Sequence, residues 1–139
     1  MRKSPVLIVL IICSLFIGSK ETVSINHNYK FYGEGTHWKA TLNFIGRGSA
    51  SSHYDEHQKD FVLEYKGEYS EISNSIVNYS YKSSGGEEGG FESPPGTKYI
   101  RTNEEGNGGD IQRKKEVIKV IVKWNGKEEI IPMKIQNDK

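Results

Sequence analysis

The sequence predicts an all-β protein, and three observations carry that expectation. Apolar and polar residues alternate with a period of two over several separate stretches. The 139 residues include 15 glycines and 8 tyrosines. Alanine, the strongest helix former, stands only at Ala40 and Ala50. Tyrosine, threonine, valine and isoleucine suit a pleated, half-buried surface, and clustered glycine supplies turns.

The chain opens on Met1–Ser19, read as a signal peptide or membrane anchor. Arg2 and Lys3 precede an uncharged apolar run, Val6–Ile17, and Gly18-Ser19 leads into Lys20-Glu21. Positive start, apolar run and small-residue exit are the three parts of an export signal. The run has 12 residues, short of the roughly 20 that span a bilayer as a helix. Three fates stay open: cleavage after Ser19, retention, and lipidation at Cys13, which is the only cysteine and sits in mid-run. Residues 20–36 read as a linker or an extra edge strand, and 37–139 as the folded domain.

Within that domain, Trp38, Ala40, Leu42 and Phe44 alternate with Lys39, Thr41 and Asn43, which marks a strand with one wet face. Ser49–Lys59 is polar and irregular and reads as a long loop or irregular edge. A second strand places Phe61, Leu63 and Tyr65 on one face, and a third places Val77, Tyr79 and Tyr81 together. The short polar link Glu71–Asn74 predicts that these two are antiparallel neighbours. Glycine and proline punctuate 83–110 so heavily that it reads as a long loop, with Tyr99-Ile100-Arg101 as one short strand inside it. Ile118, Val120, Val122 and Trp124 form a fourth alternating run, and Ile131, Met133 and Ile135 a fifth. Asn125-Gly126 between them is a two-residue hairpin turn, because both residues tolerate positive φ. Pro132 cannot donate to a ladder, so the returning strand is expected at an edge or a bulge. Five such strands without a helix imply a small immunoglobulin-like antiparallel β-sandwich; a closed barrel is the alternative.

Composition narrows the chemistry. The formal net charge is +1, which offers no basic surplus for nucleic acid. With Cys13 inside the leader, the domain has no thiol nucleophile, disulfide or Cys-ligated zinc. His53-Tyr54-Asp55-Glu56-His57 is the candidate metal segment, since His53 and His57 would share a face if the stretch were helical. Tyr54 occupies the place where a zincin has glutamate. The Glu/Gly stretches at Glu87-Glu88 and Glu104–Asp110 lack the spacing of calcium loops. No helix follows the glycine runs to cradle phosphate, and no Gly-x-Ser-x-Gly elbow occurs. No cofactor is implied. Trp38 and Trp124 sit on alternating strands and read as core indoles.

Several segments carry a resemblance: Phe16–Glu21 at the end of the leader, Gly33–Lys39, Glu64-Tyr65-Lys66-Gly67, the glycine-rich stretch from Gly85, and Val122–Lys127 with Glu129. In these the chain resembles small, uncharacterised lipoproteins of Gram-positive, Bacillus-type bacteria. That resemblance implies export and a lipid tether on a cysteine after the leader. This chain has serine where that cysteine is expected. The expected function is therefore a non-catalytic binding or structural module, secreted or attached to the outer face of the membrane. Its partner would be a cell-envelope or extracellular protein or ligand, with membrane contact through the N-terminal segment alone. Contact would run through the 83–110 loop or an exposed sheet face. A metal-handling protein or enzyme centred on His53–His57 is the alternative.

Overall fold

The computed structural model describes residues 24–136; the leader, with the proposed signal at 1–19, lies outside them. Eight strands form one antiparallel sheet: β1 (Ile25–Glu34), β2 (Trp38–Gly48), β3 (Glu56–Tyr65), β4 (Val77–Ser83), β5 (Gly86–Glu92), β6 (Tyr99–Asn107), β7 (Ile118–Trp124) and β8 (Lys127–Ile135). Their order across the sheet is β5-β4-β7-β8-β1-β2-β3-β6. A single 3-10 turn, Tyr69–Glu71, is the helical element among the described residues. The domain is thus all-β and antiparallel. A sandwich predicts two separate sheets, whereas here the ladder is continuous.

Continuity depends on a narrow link. β8 meets β1 only at Phe31↔Ile135 and Tyr32↔Lys134, while β7 pairs with β8 along the whole of its own length. Pro132 explains the narrowness. Pairs in a two-residue hairpin alternate from a hydrogen-bonded one at the turn, so Lys119↔Pro132 falls at a non-hydrogen-bonded position. The proline nitrogen therefore faces β1, where the ladder has not yet begun. At that point Gly33 lies against the Pro132 carbonyl too closely for any side chain. The sheet bends here and folds its two halves face to face. Trp38 of β2 meets Trp124 of β7 edge-on at 5.5 Å, and Phe61 of β3 stacks on Tyr79 of β4 at 5.6 Å.

Four expectations are corrected. Residues 25–34, read as part of a linker or extra edge strand, form a strand flanked on both sides. The 49–59 loop is shorter, because β3 begins at Glu56. The 83–110 loop contains two strands, β5 and β6. Glycine does not prevent pairing there, since β5 and β6 are the sheet's two outer strands and each needs one ladder only. Finally, β3 and β4 are not neighbours: the link carrying Tyr69–Glu71 crosses the core and is pinned by the fully buried Ile72. The Asn125-Gly126 turn forms as predicted, with φ of 48° and 71°.

Both ends of the curled sheet are filled. At one end Tyr54 packs on Phe44 at 5.4 Å. Its hydroxyl lies 2.7 Å from His27 Nδ1 and accepts the Gln112 N–H at 3.1 Å. Gly46 makes room for this ring, as a Cβ there would lie 2.5 Å from it. At the other end Glu129 closes the β1–β2 turn. Its carboxylate accepts the His37 N–H at 3.0 Å, the Trp38 N–H at 3.2 Å and His37 Nδ1–H at 2.8 Å.

Candidate functional site

His53 and His57 do not share a site. His53 is exposed in a bend, with Nδ1 3.1 Å from Ser52 Oγ and Nε2 4.0 Å from Asp55. His57 belongs to β3 and turns inward, where Nδ1–H donates to the Gly108 carbonyl at 2.8 Å. A shared face at i and i+4 needs a helix, and this segment runs from a bend into a strand that rises about 3.3 Å per residue. Among the described residues no three His, Cys, Asp or Glu side chains converge as a metal site.

A polar cluster forms instead where β5 and β6, the free edges of the sheet, face each other. Lys59 sits in the inward row of β3 with Phe61, Leu63 and Tyr65, and only 6% of it is exposed. Its Nζ lies 3.4 Å from both Glu88 of β5 and Glu104 of β6. The two carboxyls also hydrogen-bond to each other. Burial, and then that bond, raises the Glu88 pKa. The bond to Glu88 together with Lys59 lowers that of Glu104. His57 Nε2 adds a contact to Glu104 at 3.7 Å. Further along, the Tyr79 hydroxyl bonds Thr102 of β6; it passes Gly90, where a Cβ would lie 3.0 Å from the oxygen. Side chains, not a backbone ladder, therefore close this seam. Burial and the nearby glutamates push the Tyr81 hydroxyl well above the usual tyrosine range.

The cluster offers no room for a substrate, because Lys59 already occupies the space between the carboxyls. The unpartnered polar atoms point the same way. Trp38 Nε1, Trp124 Nε1 and the Tyr81 hydroxyl are buried without hydrogen-bond partners, but within a packed aromatic core.

The outer surface is asymmetric. Ile76, Phe91, Val117 and Ile130 are four of the six large apolar side chains left exposed, and all four belong to the outer face of β5-β4-β7-β8. Register shows how they sit. One row across the sheet runs Phe91–Asn78–Lys123–Glu128, and the next runs Gly89–Ser80–Ile121–Ile130. Lys82, Lys119, Lys123 and Lys134 are interspersed, against Glu87 and Glu128. Lys82 and Glu87 lie 3.7 Å apart and both are exposed, so this pair is weak. A shallow depression of about 750 Å³ is lined here by Ser80, Lys82, Glu87, Val117, Lys119 and Ile121. The opposite outer face, on β1-β2-β3-β6, carries Lys30, Lys39, Arg47 and Arg101 among Glu34, Glu56, Asp60, Glu64 and Glu105, and its one large exposed apolar residue is Tyr99.

Two signals in the sequence would have located these features. Extending the β3 alternation upstream of Phe61 places Lys59 in the inward row. Ile121 and Ile130 stand in rows that are otherwise polar, the mark of an apolar residue on a wet face. Among the described residues no helix is long and apolar enough to cross a membrane. Family models, curated proteins and solved structures give no match to the chain.

Proposed function

We propose that this chain is an exported, non-catalytic binding module acting on the outside of the cell, with the outer face of β5-β4-β7-β8 as its contact surface. The observation that carries this is the concentration of exposed apolar side chains, ringed by lysines, on one of two otherwise equivalent sheet faces. Single exposed apolar residues scattered over a whole surface need no explanation, whereas four confined to one face single that face out as a contact surface. Barrels that hold ligands inside need an open mouth, and here Tyr54 and Glu129 fill the two ends. The leader and the resemblance to small Gram-positive lipoproteins support export, and the excess of lysine over glutamate favours an anionic partner. The candidate pair His53 and His57 lacks the converging ligands that a metal-handling role requires.

Photo-crosslinking in the producing cell tests this. A benzoylphenylalanine at position 91 or 130 should give adducts, of protein or lipid, that mass analysis resolves. The same probe at position 43 or 62 of the opposite face should give few. Equal adducts from both faces, or none from 91 and 130, would refute the assignment.

A further inference from the structure

We infer that the contact face binds an anionic phospholipid surface, so that the folded domain itself, and not the leader alone, lies against the membrane. This rests on the outer-face assignment above. The argument is one of charge and shape. Lys82, Lys119, Lys123 and Lys134 outnumber Glu87 and Glu128 on this face, so a second copy packed upon it would add positive charge to positive charge. The partner must instead be negative. The apolar residues are not gathered into a slot for a peptide side chain; they stand out singly, with Phe91 65% and Ile130 51% exposed. Separate protruding apolar groups among lysines match an interfacial surface, where side chains enter the headgroup boundary and ammonium groups remain with the phosphates. A protein of the outer membrane surface meets such headgroups first.

Hydroxyl-radical footprinting of the full chain separates the face from the leader. Arg2 and Lys3 also favour anionic lipid, so the face is read from which residues are protected and from the K82E/K119E variant, not from vesicle binding alone. Vesicles containing phosphatidylglycerol should reduce oxidation of Phe91 and Ile130 severalfold and leave Tyr32 and Tyr99 unchanged. Pure phosphatidylcholine should protect neither pair. The K82E/K119E variant, whose folding is checked by circular dichroism, should lower this binding by more than about tenfold, and added salt should weaken it. Equal protection on neutral vesicles, protection of both faces, or none at all would overturn the inference. Protein adducts from positions 91 and 130 in cells, with no vesicle protection, would overturn the lipid assignment and leave the contact face standing.

Discussion

Glu88 and Glu104 meet carboxyl to carboxyl across the open edges of the sheet, with Lys59 3.4 Å from each. Burial and the neighbouring carboxyl favour the protonated form of Glu88, while Glu88 and Lys59 favour the charged form of Glu104. Edge strands invite pairing with other chains. In this protein the two edges are turned toward each other and covered by one ionic contact.

Substitutions at the seam should rank unequally. Glu88→Gln mimics a protonated carboxyl and should change stability little. Glu104→Gln removes the charge that Lys59 faces and should cost more. Lys59→Ala leaves the carboxyls without a buried cation. Since Glu104 is 46% exposed, solvent screening limits that loss to about 1–3 kcal/mol. Urea unfolding of the three variants measures the order.

The same pair sets a pH dependence. Glu104, with its pKa lowered, contributes stability that is present above the ordinary carboxylate value of 4.5 and is lost as pH falls through its folded value. Glu88, with its pKa raised, contributes stability that is present below 4.5 and is lost as pH rises through its folded value. The melting temperature should therefore peak at mildly acidic pH. Glu88→Gln should flatten the decline on the alkaline side of that peak, as followed by thermal melts across pH 3–8.

Two buried tyrosines give an alkaline signature. Burial and the 2.7 Å hydrogen bond to Glu71 push the Tyr65 pKa up to about 12, and that of Tyr81 also rises. Their stabilising contribution is complete below the unfolded value of 10 and disappears as pH rises through the folded values. Tyrosinate absorbance should show Tyr65 and Tyr81 ionising only as near-ultraviolet circular dichroism is lost.

Glu129 fastens the β7–β8 hairpin to the β1–β2 turn, and its side chain is only 11% exposed. Glu129→Ala strands the His37 and Trp38 N–H groups and should cost about 1–3 kcal/mol. Glu129→Gln keeps an acceptor and should cost less. Near-ultraviolet circular dichroism of Trp38 and Trp124, which meet beside this carboxylate, reports the change.

Alternation located the inward rows of β2, β3, β4, β7 and β8, because each buries one face against the core. It could not order them. Whether β3 lies beside β4 depends on where the link at Ile72 crosses, a tertiary choice that leaves little local trace. β5 was illegible because its three glycines and three glutamates carry no apolar alternation; only its pairing with β4 makes it a strand. At the candidate site, His53 and His57 were suggestive by spacing, but spacing means proximity only in a helix. Ile121 and Ile130 were visible one at a time. Their adjacency on the outer face needed the β7–β8 register.

The most direct test is methyl NMR of the isotopically labelled chain titrated with anionic nanodiscs, since isoleucine and valine occur on both outer faces. The methyl signals of Ile76, Val117, Ile121 and Ile130 should shift or broaden, and those of Ile45 and Val62 should hold. Perturbation of Ile45 and Val62 with the other four unmoved would contradict the contact face.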